Sequence, residues 1–234
     1  MNSNNRNLIN QYKHFILVGI VFVLFVTISG FSIKFFELER QQEKVESLER
    51  SLIELKAAMN IDSVRQYHIQ KIMKIIDQYN SNMPSSKKYE IADEIYRLSL
   101  IYTNLNVDLI CATISHESAK TWDPMITSKA GAMGLMQIMP VTGIYLAAEE
   151  GITWTSAEET LYDPIYNLRM GSRYLSTLVE TYGLEGGLAA YNGGERRAAL
   201  WLASDKAENI LHKETQGYIP AILELFQNYQ QSSL

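Results

Sequence analysis

The stretch from Asn106 to Ser118, NVDLICATISHES, predicts a helix with one acidic side chain on its apolar side. Leu109, Ile110 and Ile114 recur at helical spacing, and Glu117 follows Ile114 by three residues. Burial of a carboxyl group favours its neutral form and raises its pKa, which suits a general acid. The alternative is a glutamate at a helix end that simply reaches solvent.

The residues around this glutamate do not favour metal or thiol chemistry. A zinc-protease motif starting at His116 needs a second histidine three residues after Glu117, where Lys120 stands. Cys111 lies inside the apolar run and has the character of a small buried residue. Because it is the only cysteine, an intramolecular disulfide is also excluded. We expect neither a metal nor a cofactor.

Further helices are predicted on both sides of this stretch. Four apolar positions at spacings of four, three and four define one of them: Ile91, Ile95, Leu98 and Tyr102. Asp163-Pro164 is a typical helix start, and Gly183 is a typical helix stop. No alternating strand pattern is longer than a few residues. The predicted fold class is mostly α, with one compact domain over residues 85–234.

Two more segments place polar side chains among apolar neighbours. Gln137 is the only long polar side chain in the run from Leu135 to Met139, and Tyr191-Asn192 precedes a pair of glycines. An amide in apolar surroundings suits a ligand that carries both donors and acceptors. The alternatives are ordinary core packing for the first segment and a helix C-cap for the second.

The N-terminal part of the chain predicts a membrane anchor. Residues 15–33 form a stretch of 19 residues without a charge. A helix of that length spans the hydrocarbon core of a bilayer, about 30 Å. We predict an uncleaved transmembrane helix at 15–33 after a cytoplasmic N-terminus at 1–14. A signal peptide cleaved near Thr27-x-Ser29 is the alternative.

A short coiled-coil stalk is predicted at residues 36–60. The apolar positions of its heptads are Leu38, Val45, Leu48, Leu52, Leu55 and Met59. Such a stalk could form a homodimer or dock onto a larger envelope machine. A single amphipathic helix that packs onto the C-terminal domain is the alternative. Residues 61–84 are assigned to a helical linker, which ends in the polar turn 79–86 that contains Pro84.

The charge is unevenly distributed along the chain. The formal net charge is −5, which divides into +2 for residues 1–84 and −7 for residues 85–234. An acidic domain argues against a general nucleic-acid binder. A hydrophobic content of 47% excludes a disordered chain.

Four short motifs, in this order, closely resemble the landmarks of the family 1 lytic transglycosylases. They are Glu117-Ser118, Gly134-Leu-Met-Gln137, Ala190-Tyr-Asn192 and Glu214-Thr-x-x-Tyr218. The resemblance covers about residues 88–228 and implies a lysozyme-like helical domain. The joint pattern is specific, although one tetrapeptide alone would not be.

The resemblance implies an enzyme that cleaves the β-1,4 bond between N-acetylmuramic acid and N-acetylglucosamine in peptidoglycan. Glu117 would be the single general acid and base, and the product would carry a 1,6-anhydromuramyl end. Tyr191 would hydrogen-bond Glu117, and Tyr218 would help close the cleft. The implied substrate-binding residues are Ser118, Ser128, Gly134, Leu135, Met136, Gln137, Tyr191, Asn192 and Tyr218.

This function would also determine the location of the protein. Peptidoglycan lies outside the cytoplasmic membrane, so the catalytic domain would face the periplasmic or extracytoplasmic side of a single-pass bacterial inner-membrane protein. A goose-type lysozyme, in which water attacks instead, is the enzymatic alternative. A non-catalytic membrane scaffold that binds peptidoglycan is the alternative from another class.

Overall fold

The computed structural model describes the backbone of residues 3–232. Within the N-terminal helix it describes the side chains of residues 19, 24, 25, 30 and 31, and then those from residue 34 onward. Most side chains of the predicted anchor at 15–33, and those of residues 1–14, therefore lie outside the described part. Among the described residues, none of the helices combines the length and the apolar character needed to cross a membrane.

Residues 3–232 form helices joined by turns and loops, with two isolated β-bridges and no extended strand. The mostly α prediction is confirmed. The helices are α1 (Ser3–Tyr79), α2 (Ser85–Ile101), α3 (Val107–Glu117), α4 (Pro140–Glu149), α5 (Ala157–Leu161), α6 (Pro164–Gly193), α7 (Glu195–Ala203) and α8 (Lys213–Gln231).

The chain divides into two units, Met1–Asp62 and Ser63–Leu234. In the first unit, the described backbone is the helical segment of α1. Its six apolar heptad positions between Leu38 and Met59 are each more than half exposed. The heptad stripe therefore lies on the surface of the single chain.

The second unit begins earlier than the sequence indicated. The last turns of α1 bury four isoleucines in the core, with exposed fractions between 0 and 5%: Ile69, Ile72, Ile75 and Ile76. Their helical spacing places them on one face of α1, and that face packs into the core of the unit. Residues 63–79 are thus part of the compact unit, whereas the sequence assigned residues 61–84 to a linker.

Helix α3 lies at the centre of the second unit. Ile110, Cys111 and Ile114 are completely buried, and α3 packs against α2 and α8. The helix begins where Asn106 accepts a hydrogen bond from the backbone N–H of Leu109 at 2.9 Å. The predicted burial of the Cys111 thiol is confirmed, because the residue is completely buried. This burial raises the pKa of the thiol far above its usual value.

Helix α6 begins as the sequence predicts. Asp163 Oδ1 accepts hydrogen bonds from the backbone N–H groups of Ile165 and Tyr166, both at 2.9 Å, and Pro164 occupies the first turn. At Gly183 the backbone leaves helical geometry with a φ of 71°, as expected for a stop. The chain then resumes a helical path to Gly193.

Candidate active site

The carboxyl group of Glu117 lies at the C-terminal end of α3, enclosed by protein atoms although the residue keeps some contact with solvent. The Tyr218 hydroxyl, from α8, donates a hydrogen bond to Glu117 Oε1 at 2.5 Å. Burial raises the pKa of Glu117 to about 7, the hydrogen bond from Tyr218 acts in the lowering direction, and the negative charge of Glu214 adds to the rise. The group can therefore be a neutral acid near neutral pH.

This pKa predicts how stability depends on pH. The folded state binds the Glu117 proton more tightly than the unfolded state, whose ordinary carboxyl pKa is 4.5. The free energy of unfolding should therefore fall as the pH rises from 4.5 through 7, by about 3 kcal/mol for this group. The difference between the wild type and Glu117→Gln, measured by urea unfolding at several pH values, should show this fall. Parallel curves for the two proteins would contradict the assignment.

The hydrogen bond to Glu117 comes from a different tyrosine than the resemblance implied, and the part of Tyr218 in closing the cleft stays a prediction. The Tyr191 hydroxyl donates to the backbone carbonyl of Met136 at 2.8 Å, and the hydrogen bond to Glu117 comes from Tyr218 instead. Burial, followed by the charge of Glu117, raises the pKa of both tyrosines well above the usual value. Both side chains are therefore neutral phenols near neutral pH, and the hydrogen bond to the Glu117 carboxyl group comes from Tyr218.

The loop from residue 126 to residue 138 is held by one buried asparagine of α6. Asn167 accepts from the backbone N–H of Met136 at 2.8 Å and donates to the carbonyls of Met133 and Leu161, both at 2.9 Å. Gly134 has a φ of 79°, and a Cβ atom there would collide with the Asn167 side chain. Only glycine fits this position, which explains the first residue of the Gly-Leu-Met-Gln motif.

The other residues of this motif contribute unequally. The side chains of Leu135 and Met136 are completely buried, so they pack the core and only their backbone can line a cleft. Gln137 is half-buried in a left-handed conformation. Its Nε2 donates to the carbonyl of Gly134 at 2.9 Å and to that of Ile126 at 3.4 Å.

The two predicted serines stabilise turns. Ser118 is completely buried, and its Oγ accepts from the backbone N–H of Trp122 at 3.2 Å. Ser128 Oγ accepts from the backbone N–H of Ala132 at 3.0 Å. Both hydroxyls are already engaged by the chain, so their direct part in binding stays a prediction.

Asn192 connects the end of α6 to the start of α8. Its Oδ1 accepts from the Thr215 hydroxyl at 2.7 Å, and its Nδ2 donates to Glu214 at 3.5 Å. A Cβ atom on Gly193 would come within 2.8 Å of Thr215 Oγ1, so glycine permits this close approach. The connection fixes the first turn of the helix that carries Tyr218.

A buried hydrogen-bond network that includes Ser115 of α3 is not predicted by any local pattern of the sequence. Ser115 Oγ accepts from Trp122 Nε1 at 2.9 Å and pairs with the Tyr229 hydroxyl at 2.9 Å, and Tyr229 also donates to the Tyr79 hydroxyl at 3.1 Å. Trp122 is completely buried, and its backbone is in the left-handed conformation. Its carbonyl oxygen accepts a hydrogen bond from Asn80 Nδ2. The network supports the turn of α3 that carries Glu117.

The expectation that no metal is bound stays a prediction. In the part of the chain that the structure describes, no group of three or more histidine, cysteine or acidic side chains could hold a metal ion. Of two acidic residues that could serve as a second acid, Asp163 caps α6. The other, Asp123, is exposed and accepts from the backbone N–H of Met125.

Comparison with known proteins finds similarity over part of the chain. Residues 102–213 match the family described as Transglycosylase SLT domain. The soluble lytic murein transglycosylase of Escherichia coli K12 is 34% identical over 122 residues, which cover 48% of this chain and 19% of that protein. The membrane-bound lytic murein transglycosylase C of Edwardsiella ictaluri is 29% identical over 158 residues, covering 62% and 43%.

Solved structures give the same result. The lytic transglycosylase Slt of Pseudomonas aeruginosa, an inactive mutant, aligns with a TM-score of 0.52 and 29% identity over 59% of this chain and 23% of that one. A 70-kDa soluble lytic transglycosylase in complex with bulgecin A aligns with a TM-score of 0.53 and 28% identity, covering 60% and 24%. The chain thus spans about a fifth to a quarter of the length of the soluble enzymes that it matches.

Proposed function

We propose that this chain, which carries an SLT transglycosylase domain of the lysozyme-like lytic transglycosylases at residues 102–213, is a peptidoglycan lytic transglycosylase. The observation that carries the proposal is the enclosed carboxyl group of Glu117, with a pKa of about 7 and one hydrogen bond from Tyr218. A carboxyl group in this state can donate a proton to a glycosidic oxygen near neutral pH.

The mechanism uses Glu117 twice. The protonated carboxyl group gives its proton to the leaving glycosidic oxygen, while an oxocarbenium-like centre develops at carbon 1 of the muramyl sugar. The 6-hydroxyl of the same sugar then attacks this carbon, and the Glu117 carboxylate accepts the hydroxyl proton. The bond to the leaving sugar breaks, the 1,6-anhydro bond forms, and the carboxyl group returns to its starting state.

Tyr218 assists the intermediate state of this cycle. After the first proton transfer Glu117 is a carboxylate in a site that disfavours charge, and the Tyr218 hydroxyl stabilises the charged form by its hydrogen bond. The nucleophile belongs to the substrate, so a second protein carboxylate is not needed. A two-carboxylate glycosidase requires a second acid about 5–9.5 Å from the first.

The products distinguish this function from its alternatives. The experiment is mass spectrometry of the muropeptides that residues 63–234 release from purified peptidoglycan. Anhydromuramyl ends, lighter than hydrolysed ends by one water, are expected. Hydrolysed ends would instead indicate a lysozyme of the goose type. No released fragment from the folded protein would indicate a peptidoglycan-binding scaffold.

Residues 15–33 anchor this enzyme in the cytoplasmic membrane, in our proposal. The support is the uncharged stretch of 19 residues and the similarity to a relative that is named as membrane-bound. Since the substrate lies outside the membrane, residues 34–234 face the periplasmic or extracytoplasmic side and residues 1–14 the cytoplasm. Translocation of a large domain depends little on the charges that flank the span.

The stalk at residues 36–60 pairs with a second copy of the chain. Its support is the exposed heptad stripe, in which Leu52 is 52% exposed. A coiled coil would bury this stripe against the same stripe of the partner helix. An envelope machine is the alternative partner for the same surface.

One pair of neighbouring residues tests the homodimer. Leu52 occupies an a position of the heptad, while Ile53, 66% exposed, lies off the stripe. In a protein comprising residues 34–234, we expect Leu52→Lys to weaken dimerisation at least about tenfold, because it places a charge in the apolar seam. The control Ile53→Lys adds the same charge and should change dimerisation much less. Sedimentation equilibrium makes the measurement, and a monomeric wild type would contradict the proposal.

A further inference from the structure

His116 and Glu117 are consecutive residues of α3 that hold the two ends of one tyrosine. The His116 ring contacts the Tyr218 ring edge to face, with centroids 4.7 Å apart and an interplanar angle of 78°. The Tyr218 hydroxyl is bonded to Glu117. We propose that His116 is a positioning residue that holds the Tyr218 ring so that its hydroxyl stays on Glu117. The inference rests on the proposed function and assigns a role that none of the four motifs contains.

Tyr218 reaches the site from a distant part of the chain. It belongs to α8, 101 residues after Glu117, and its side chain is 2% exposed. The hydroxyl oxygen lies on the long axis of the ring, so its position depends on sideways displacement of the ring and not on rotation about that axis. Edge-to-face contact with the His116 ring limits this sideways displacement, because aromatic pairs have preferred geometries. His116 supplies this contact from the same helical turn as the carboxyl group.

The charged groups around His116 keep the imidazole suited to this role. Burial and the positive charge of Lys120 lower its pKa, whereas the negative charge of Glu214 acts in the raising direction. The charged groups that act on this pKa are Lys120 in the following loop and Glu214 on α8, and Tyr218 of α8 packs against the ring. Near neutral pH the ring is neutral, so it packs on Tyr218 as an aromatic group.

The main test compares His116→Ala with His116→Phe. Loss of the ring should lower kcat about three- to tenfold with little change in KM, because the contact that is lost joins two protein side chains. Phenylalanine keeps an aromatic ring and should restore most of kcat. An alanine variant with wild-type kcat would overturn the inference, as would a phenylalanine variant that is folded and equally impaired.

The second test is whether His116 acts through Tyr218. In the Tyr218→Phe background, where the hydroxyl is absent, His116→Ala should cause little further loss of kcat. An undiminished loss in that background would overturn the inference.

The hydrogen bond from Tyr218 lowers the pKa of Glu117, so both single variants should move the alkaline limb of the kcat/KM profile to higher pH. If the alkaline limb of the kcat/KM profile moves in Tyr218→Phe and stays in place in His116→Ala, that result would also contradict the positioning role of His116.

A measurement without substrate separates this inference from the proposed function. The Glu117 carboxyl pKa can be followed by ¹³C NMR titration of the wild type, His116→Ala and His116→Phe. If the Glu117 pKa is higher in His116→Ala than in both the wild type and His116→Phe, the result supports the positioning role of His116. This holds even if the wild type releases no anhydromuropeptides and the proposed function fails. Equal pKa values in all three proteins would overturn the inference.

Discussion

Replacement of Glu117 by glutamine is expected to abolish the release of anhydromuropeptides and to leave the second unit folded. Glutamine has nearly the same size and can still accept a hydrogen bond from Tyr218. It cannot donate a proton to the glycosidic oxygen or accept one from the 6-hydroxyl. Both proton transfers are lost together, and we expect a fall of at least about 10³-fold in kcat.

A matched control separates chemistry from folding. Glu224, exposed on α8, can also be changed to glutamine, which removes the same charge away from the site. This variant should keep wild-type turnover in the same mass-spectrometric assay. Circular dichroism should give helical spectra for both variants that match the wild type. Wild-type turnover by Glu117→Gln would refute the mechanism.

Deletion of residues 63–84 is expected to unfold the rest of the second unit. The deletion removes the four buried isoleucines at the end of α1, whose burial contributes about 1.5–3 kcal/mol each, or roughly 6–12 kcal/mol together. It also removes Lys71, which pairs with Asp108 at 2.8 Å, and the Tyr79 contact to Tyr229. Whole domains are stable by about 5–15 kcal/mol, so the loss is comparable to the total.

Two proteins that differ only at the N-terminus make the comparison. Residues 63–234 should unfold cooperatively in urea, whereas residues 85–234 should show no cooperative transition. Point variants refine the result: Ile72→Ala should cost about 2–5 kcal/mol. Val64→Ala, 45% exposed on the same helix, should cost far less. A stable protein of residues 85–234 would show that α1 is dispensable for the core.

The sequence alone predicts those features of the fold and the site that depend on the spacing of residues within one segment. The apolar side of α3 and the position of Glu117 on it follow from a period of 3.6 residues. The start of α6 follows from the capping chemistry of Asp163 and Pro164. These features depend on residues a few positions apart, so one segment is enough to predict them.

Sequence alone failed where the partner lies far along the chain. The isoleucine stripe of α1 was visible, but a polar turn after it suggested a domain boundary. Which tyrosine contacts Glu117 depends on how α8 packs on α3, and no local pattern distinguishes Tyr191 from Tyr218. The hydrogen bond from Trp122 to Ser115 depends on a left-handed backbone at Trp122 and on a serine of the preceding helix, and no local pattern predicts either.

The buried stripe of α1 also determines how proteolysis would affect the protein. Residues 36–60 are exposed along their whole length, and a protease that cuts there would shed the second unit with all four isoleucines in place. Ser81 and Asn82 are exposed as well, in the turn after α1. A cut there would sever the covalent link between the stripe and the helices that it stabilises. The position of one nick between residues 36 and 82 would thus decide between a second unit that is released with its core complete and one that is cut from its core helix.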